Sequence, residues 1–452
     1  MGIKIDVNNI GPFERASLEI KPLTVIVGRN SLGKSMLSYL VWTLMALSPD
    51  FEKLADASLK RGAPEIINNV LEKVKDGKSP EEEFKKLLTI FIEVLPEAVA
   101  SSIKKAIRST FMTSYKNLIR KGSDNAAIVI EGSKAALEIR FGEDVKAVYI
   151  KPYMEFIERL IIEVPGPKLL KVSYDGETIF EELAVSMHDV IRAVLRALES
   201  YIGHAFSPFL FATENFATLL PDSRAGISRT LLKPYSIPGP TESISYADRQ
   251  FISLYYRLAE KVHSGLVDLD MVKPLLEELG CTSLRSVFRA GVYTVYLKMW
   301  SGKSLHIFRA PSGIRETLTV ALALASVGEP LALVIEEPEA HLHPRAQRIL
   351  ARLIAKSINT LGKTVILTTH SDYILYAINN LITLSRFPEK IRELGYDKSE
   401  ILDPNMVSAY LVRAEGTKAV LEPLEVEPEG IPEEEFAKVA EELANERAKL
   451  LS

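Results

Sequence analysis

The chain has 452 residues, of which 47% are hydrophobic and 25% are charged, and its formal net charge is −4. This composition is typical of a globular protein of roughly two or three lobes and predicts no overall attraction to nucleic acid or to an anionic membrane. The single cysteine, Cys281, excludes an internal disulfide and favours a reducing cytoplasm, while abundant lysine and glutamate with little glutamine favour a thermophilic source. The sequence opens without a signal peptide, and its longest apolar runs, Leu37–Leu47 and Leu318–Val327, are too short to cross a bilayer, so we expect a cytoplasmic protein with no membrane partner.

The first predicted elements are strands at Ile3–Ile10, Ala16–Ile20 and Thr24–Val27. The third strand is mostly β-branched, and a helix pattern, Met36–Leu47, follows it closely. Between them lies the pattern G-x-x-x-x-G-K-S, formed by Gly28, Arg29, Asn30, Ser31, Leu32, Gly33, Lys34 and Ser35. A strand, a glycine-bounded loop and a helix start are the context in which this pattern binds phosphate, so an ordinary glycine-rich turn is the disfavoured alternative.

The residue types of this loop explain how it would bind a nucleotide. Gly28 and Gly33 permit backbone torsions that turn successive N–H groups towards phosphate oxygens, and the helix N-terminus adds its own N–H groups. Lys34 would contact the β- and γ-phosphates and stabilise the transition state, and the Ser35 hydroxyl would ligate Mg²⁺. We therefore expect ATP and Mg²⁺ as ligands.

Residues 49–204 are predicted to form an α+β insertion. Helical patterns occupy Pro49–Gly122 and Phe180–Tyr201. Between them, alternating patterns predict strands at Ala126–Glu131, Ala135–Phe141 and Val145–Ile150.

One stretch of the insertion, Ser101–Gly122, is basic, contains no acidic residue and has Phe111 and Tyr115 interleaved. A nucleic-acid contact and a solvated helix face both fit this pattern, and we favour the solvated face. The candidate DNA contacts are Lys104, Lys105, Arg108, Lys116, Arg120 and Lys121.

The second half begins with a predicted strand, Phe209–Leu220, and a turn, Pro221–Gly226. Arg224 in this turn has two equally weighted interpretations, one facing a nucleotide and one capping the turn. Asp268 and Asp270 have no nearby third acid, so we interpret them as solvated helix-end residues and not as a nuclease site. The next predicted elements are helices at Ser243–Val262 and Asp270–Leu279 and paired strands at Ser286–Met299 and Lys303–Phe308.

Two buried strands carry polar residues at their carboxyl ends, where α/β sheets place ligands. Leu331–Ile335 delivers Glu336 and Glu337, and Val365–Thr369 is followed directly by His370. One acid at such a point can hold Mg²⁺ while its neighbour deprotonates the attacking water. We assign Glu336 to the metal and Glu337 to the general base; two solvated glutamates are the disfavoured alternative.

A short polar segment precedes a strong helix pattern at Thr317–Ser326 and consists of Ser312, Gly313, Ile314, Arg315 and Glu316. A helix N-terminus at this point could meet an anion. Alone, the pattern Ser-Gly-x-x-Glu is more often a helix cap, but its place between the phosphate loop and the acidic strand end favours function.

Together these motifs resemble those of ABC-type ATPases related to RecF, SMC and OLD proteins. The resemblance implies an α/β fold with a parallel core sheet, an antiparallel N-terminal sheet and an α+β insertion. Glu336–Pro344 is similar to the extended Walker B segment, and His370 to the switch histidine that senses the γ-phosphate. Ser312, Gly313 and Glu316 are similar to the nucleotide-binding signature motif. His341 and His343 would then lie in the loop that contacts a partner protomer, and we assign them no transition metal.

The sequence also departs from this family. Glu336 stands where many relatives have Asp, and Ile314 replaces a second glycine of the signature. A glutamine that touches Mg²⁺ and the attacking water is expected after the first lobe, but neither Gln250 nor Gln347 fits that position. Only about eighty residues follow His370, fewer than a domain needs, so we predict no TOPRIM nuclease domain.

The last predicted elements are an edge strand at Ser408–Val412 and, after an acidic stretch, a helix at Phe436–Leu451. The predicted domains are an ATPase head of residues 1–48 and 205–425, the insertion of 49–204 and a C-terminal segment of 426–452. We expect Mg²⁺-dependent ATP hydrolysis by a head-to-tail homodimer coupled to a partner or to DNA. The alternative is a nucleotide-gated DNA clamp with very slow hydrolysis, and a transporter motor is disfavoured.

Overall fold

The computed structural model describes residues 2–206, 216–224, 226–227, 245–289 and 291–451, without the side chains of 434–440. The chain forms two compact units, one of Met1–Ser17 with Thr43–Glu214 and one of Leu18–Trp42 with Asn215–Ser452. This division differs from the predicted domains at the N-terminus, because residues 1–17 group with the predicted insertion. Strands and helices are numbered below along the whole chain.

The first unit combines antiparallel strands with helices. Strand β1 pairs with β4, β4 with β5 and β5 with β6, while β7, β8 and β9 form a separate antiparallel sheet. The strands are β1 (Ile3–Ile10), β2 (Phe13–Ile20, shared with the second unit), β4 (Ala126–Glu131), β5 (Ala136–Phe141), β6 (Val145–Lys151), β7 (Leu160–Gly166), β8 (Leu169–Tyr174) and β9 (Glu177–Leu183). The helices are α2 (Phe51–Lys60), α3 (Ala63–Lys75), α4 (Glu81–Phe111), α5 (Glu155–Glu158) and α6 (Met187–Ala205).

The insertion differs from its prediction in one region. The helix predicted from Phe180 begins at Met187, because Ser186 and Asp189 form a capping box there. Phe180 lies in β9, and the sheet of β7, β8 and β9 was not predicted. Exposed apolar residues such as Ile161 and Leu183 interrupt the apolar/polar alternation of these strands, so their signal in the sequence is weak.

The second unit is built on a parallel sheet in the order β10-β14-β15-β3-β16, followed by β17 and β2. Strand β16 is parallel to β3 and antiparallel to β17. The strands are β3 (Leu23–Gly28), β10 (Ala217–Leu220), β14 (Ala332–Glu336), β15 (Thr364–Thr369), β16 (Val407–Glu415) and β17 (Lys418–Leu424). The prediction of an edge strand at Ser408–Val412 is therefore wrong. Residues 407–412 are all buried, as expected for an interior strand with both faces covered.

Helices and a small antiparallel sheet complete the second unit. The helices are α1 (Lys34–Met45, whose last residues lie in the first unit), α7 (Tyr246–His263), α8 (Leu269–Glu278), α9 (Ser312–Leu324), α10 (Pro344–Leu361), α11 (Asp372–Thr383), α12 (Lys390–Glu393) and α13 (Glu434–Leu451). The small sheet consists of β11 (Cys281–Arg289), β12 (Val292–Met299) and β13 (Ser304–His306). No helix in the described part of the chain is long and apolar enough to span a membrane.

The fold class is confirmed as α/β with a parallel core sheet and antiparallel N-terminal strands. Asp268 caps the start of α8, where its carboxylate accepts from the N–H groups of Asp270 and Met271. This agrees with the helix-end interpretation of the two aspartates. Residues 209–215 of the predicted strand at Phe209–Leu220, residues 225 and 228–242, and residues 243–244 of the next predicted helix lie outside the described residues.

Two glycines of the first unit should respond oppositely to alanine. A Cβ at Gly132, after β4, would lie 2.2 Å from the Phe206 Cα, whereas a Cβ at Gly203, within α6, would meet no atom within 4 Å. Gly132→Ala should lower the free energy of unfolding by about 1–3 kcal/mol because backbone must move. Gly203→Ala should raise it by about 0.5 kcal/mol through helix propensity. Urea denaturation of both variants measures the contrast, and equal effects would contradict it.

Candidate nucleotide-binding site

Three neighbouring parallel strands bring the predicted site residues together. Strand β15 lies between β14 and β3, and the register aligns their carboxyl ends, with Glu336 opposite Thr368 and Thr369 opposite Val27. The phosphate loop follows β3, His370 follows β15, and Glu336 ends β14. Residues from opposite ends of the chain therefore meet at one edge of the sheet, as the strand pattern predicted.

The phosphate loop has the backbone that its sequence predicts. Gly28, Ser31 and Gly33 have φ values of 141°, 62° and 99°. A Cβ at Gly28 would lie 2.4 Å from the Val412 carbonyl oxygen of β16, so only glycine fits there. The Lys34 ammonium donates to the carbonyls of Gly28 and Arg29 at 2.9 and 2.8 Å, so an incoming phosphate would compete with two loop carbonyls for the same donor.

The carboxylate of Glu336 is buried beside Ser35. Its side chain accepts from the Ser35 and Tyr39 hydroxyls, and the Asp222 N–H lies 3.4 Å from its Oε2 atom. Its Oε1 atom is buried and has no hydrogen-bond partner among the described residues. Burial raises the pKa of Glu336.

This oxygen set fits Mg²⁺. The ion prefers oxygen ligands and is commonly held by one or two protein groups together with phosphates and waters, which agrees with a serine hydroxyl next to a buried carboxylate oxygen that lacks a donor. The described residues contain no cluster of three or more His, Cys, Asp or Glu side chains able to hold a metal. The Glu336 and Ser35 oxygens are the ligands that the protein would supply.

Glu337 and His370 face each other across the strand ends. The Glu337 Oε1 atom lies 3.4 Å from the His370 Nε2 atom, and the Glu337 side chain is 42% exposed. Glu337 has a left-handed φ of 42°, which is strained for glutamate, and its N–H donates to the Thr368 carbonyl. Burial and, secondly, the Lys34 charge lower the pKa of His370, while Glu337 opposes them.

Sequence reasoning did not assign a role to Glu339. Its Oε1 atom accepts from the Thr369 hydroxyl at 2.7 Å and the His370 N–H at 2.8 Å, so it fixes the backbone that carries His370. Burial raises its pKa. The signal was its place in the run Glu-Glu-Pro-Glu. Gln347, one of the two glutamines considered in the sequence for the family's magnesium contact, accepts from the Ser371 hydroxyl and donates to the Leu342 carbonyl.

Arg224 holds the two acidic residues by their backbone. Its fully buried guanidinium donates to the carbonyls of Leu220 and Pro221 at 3.1 and 2.6 Å, and to those of Glu336 and Glu337 at 2.6 and 3.0 Å. The interpretation of Arg224 as a cap of its own turn is therefore the better one, and the cap extends to the next strand. Because the Glu337 backbone is strained, these bonds stabilise a conformation that the residue would otherwise avoid.

The signature segment lies against the loop that follows β14. Ser312 begins α9, and a Cβ at Gly313 would lie 2.8 Å from the His341 carbonyl oxygen. Glu316 is 2% exposed, lies 3.3 Å from the His341 Nε2 atom, and has a pKa raised by burial. Among the described residues, the Ser312 side chain makes no hydrogen bond to the phosphate loop.

The comparisons with known proteins agree with this geometry. The sequence model of a family described as "AAA domain, putative AbiEii toxin, Type IV TA system" matches residues 181–375. The matched segment contains Ser312–Glu316, both acids of the β14 strand end and His370. This match covers less than half of the chain and agrees with the predicted resemblance to ABC-type P-loop ATPases of the RecF/SMC group.

Solved structures of SMC head domains also align with this chain. An SMC head bound to the C-terminal winged-helix domain of ScpA is 12% identical over 94% of this chain and 97% of that chain, with a TM-score of 0.42. A Pyrococcus furiosus SMC head with an extended coiled coil, bound to the ScpA C-terminal domain, is 11% identical over 98% of both chains, with a TM-score of 0.40. The Thermotoga maritima SMC head is 10% identical over 94% of this chain and 100% of that chain, with a TM-score of 0.35. No curated protein matches the chain.

A cleft of about 630 Å³ lies beside the phosphate loop. It is bounded by Gly28–Asn30, Leu32, His370, Asp372 and the end of β16 at Leu411–Ala414. A volume of this order can hold a nucleoside. The nucleoside of a loop-bound nucleotide could therefore lie on this side.

The basic stretch of the first unit is less suited to DNA than its sequence indicated. Lys104 pairs with Asp144, and Lys105 with Asp50, each at 2.7 Å. Tyr115 is buried and donates to the Glu143 carbonyl, so its ring is not offered to a base. The solvated-face interpretation is supported for this part of the stretch.

Removal of the Arg224 guanidinium should destabilise the protein. Arg224→Met would leave four carbonyls without their donor, so the free energy of unfolding should fall by about 2 kcal/mol or more. The control Arg345→Met removes a side chain that is 78% exposed and should change it by at most about 0.5 kcal/mol. Urea denaturation compares them, and similar small effects would refute the backbone clamp.

The lowered pKa of His370 has a consequence for stability in mild acid. The unfolded histidine, with a pKa near 6.5, binds a proton at a pH where the folded one does not, so stability falls as the pH drops through 6.5. His370→Gln cannot titrate and should lose less stability between neutral and mildly acid pH. Denaturation without nucleotide across this range measures the difference, and parallel pH profiles would contradict the expected shift.

Proposed function

We propose that this P-loop ATPase binds ATP with Mg²⁺ and hydrolyses the β–γ phosphoanhydride. The observation that carries the proposal is the meeting of Lys34, Ser35, Glu336, Glu337 and His370 at the aligned ends of three parallel strands. An ammonium, a hydroxyl, two carboxylates and an imidazole in one place match the needs of phosphoryl transfer.

Each residue would have a separate task. The loop N–H groups and Lys34 would bind the phosphates, and Ser35 with Glu336 would hold Mg²⁺. When bound, Mg²⁺ would neutralise charge on the β- and γ-phosphates. Glu337 would accept a proton from the attacking water, because its carboxylate is exposed and held towards His370 by the Arg224-supported backbone. His370, kept neutral by burial, could donate or accept a hydrogen bond at the γ-phosphate.

We further propose that the active form is a head-to-tail homodimer. The first turn of α9 has no side-chain cap, so its N–H groups are available to an anion. Ser312 and Gly313 would supply these groups to the nucleotide of a second protomer. Glu316 is buried against His341, so it would act by supporting that loop and not by touching the nucleotide.

The alternative, a DNA clamp with very slow hydrolysis that uses Lys104 to Lys121, has less support. Two of its lysines are already paired with carboxylates. A partner protein or DNA bound elsewhere on the chain remains compatible with the proposed ATPase.

Substitution of the general base should separate binding from turnover. Glu337→Gln should abolish hydrolysis, retain ATP binding and prolong an ATP-dependent dimer on a sizing column. Lys34→Ala should lower the rate by roughly 100-fold or more. Glu415→Gln changes an exposed glutamate that lies 3.5 Å from Lys418 and serves as the control, with an unchanged rate expected. Normal hydrolysis by Glu337→Gln would disprove the base assignment.

A further inference from the structure

One long stretch of the second unit carries only positive charge. Residues 279–315 contain Arg285, Arg289, Lys298, Lys303, Arg309 and Arg315 and no aspartate or glutamate. The stretch therefore contributes +6 to a chain whose formal net charge is −4, so all other residues together carry −10. The role proposed for the candidate nucleotide-binding site does not account for this uneven distribution of charge.

The stretch folds into the small antiparallel sheet β11-β12-β13, and one face of that sheet is covered. Val295 and Leu297 of β12 are fully buried, and the Val295 N–H donates to the Tyr255 hydroxyl of α7. Because side chains alternate along a strand, the neighbouring residues of β12 point to the opposite face. That face contains Arg285 opposite Tyr296, and Tyr296 in turn opposite His306.

The cations of this open face are not neutralised. Lys298 lies opposite Ser283 and Ser304 on it, Arg289 lies opposite Val292 on it, and Arg285, Arg289 and Lys298 are all exposed. None of these three cations has an ion pair with any described residue. Lys104 and Lys105 of the first unit, by contrast, each have a carboxylate at 2.7 Å. Unpaired cations on a stretch of chain without acidic residues attract phosphate groups.

Aromatic rings stand among these cations. Trp300, directly after β12, is 79% exposed, which is unusual for so large an apolar side chain. The Trp300 backbone N–H donates to the Gly280 carbonyl at 2.9 Å, which fixes the backbone at Trp300. Lys298 and Lys303 are its neighbours in the sequence. Tyr296 is half-buried and meets His306 edge to face, with ring centroids 5.2 Å apart. An exposed indole offers a stacking surface to an unpaired base.

We propose that this basic sheet face, defined by Arg285, Arg289, Tyr296, Lys298 and Trp300, binds single-stranded nucleic acid. The cations would contact the phosphates, and Trp300 would stack on a base. A duplex keeps its bases stacked on each other and could use only the cations. The proposal adds a partner to the proposed ATPase, and it requires neither nucleotide nor hydrolysis.

Tryptophan fluorescence provides a direct test, because Trp300 is exposed and the only other tryptophan, Trp42, is 1% exposed. Titration of the full chain with oligodeoxythymidine of about 20 nucleotides should quench Trp300 emission. Trp300→Ala, which removes the stacking surface, should weaken binding roughly fivefold or more, measured by anisotropy of a labelled strand. A duplex of equal length should bind more weakly and leave the emission unchanged.

Charge reversal tests the cations. The double variant Arg285→Glu and Lys298→Glu should weaken single-strand binding about tenfold or more and flatten its salt dependence, because phosphate contacts are lost. The control, Lys60→Glu with Lys75→Glu, makes the same change of net charge at two exposed lysines of the first unit and should leave affinity within about twofold. Circular dichroism and binding of a fluorescent ATP analogue should be unchanged in every variant.

Three results would overturn the proposal: no binding by the unaltered chain at low salt, equal losses in the two double variants, or tighter binding of the duplex with Trp300 silent. The analogue measurement separates this failure from that of the ATPase proposal. A chain that binds single strands but no ATP analogue would support the basic sheet face and contradict the ATPase. A chain that binds the ATP analogue but no single strands would contradict the basic sheet face and support the ATPase.

Discussion

The parallel pairing of β14, β15 and β3 is the constraint on which the rest of the second unit depends. The register places the ends of the three strands side by side, and every polar group of the candidate site follows one of those ends. Arg224 adds the carboxyl end of β10 to the same edge through hydrogen bonds to backbone carbonyls. A shift of one residue in any of these strands would turn its side chains to the other face and disperse the site.

The site also depends on a balance of buried charge. Burial lowers the pKa of Lys34 and raises those of Glu336 and Glu339, so each charged form is costly alone. Their mutual attraction offsets part of that cost, and the carboxylates raise the pKa of Lys34. A bound magnesium–triphosphate group would place negative phosphates near Lys34 and a magnesium cation near Glu336. Such a site is well matched to its ligand because its empty form leaves polar groups poorly satisfied.

The sequence predicted those parts of the fold that have a local signal. β-branched runs predicted β3, β14 and β15, and the glycines predicted the loop, because torsions and burial depend on neighbouring residues. Other features depend on pairing between distant segments, such as the interior position of β16 and the carbonyls that Arg224 contacts, and no local pattern encodes them. The basic stretch Ser101–Gly122 shows the same limit, because its carboxylate partners Asp50 and Asp144 lie elsewhere in the chain.

The contact between Gly28 and β16 has a consequence for the evolution and engineering of this chain. The backbone of Val412 leaves no room for a Cβ at Gly28. Val412 comes after all of the recognised motifs in the sequence. A version truncated behind α11 would keep every one of these motifs and still lack the strand that packs against the phosphate loop. One side of the candidate site is thus formed by a segment that contains none of the motifs.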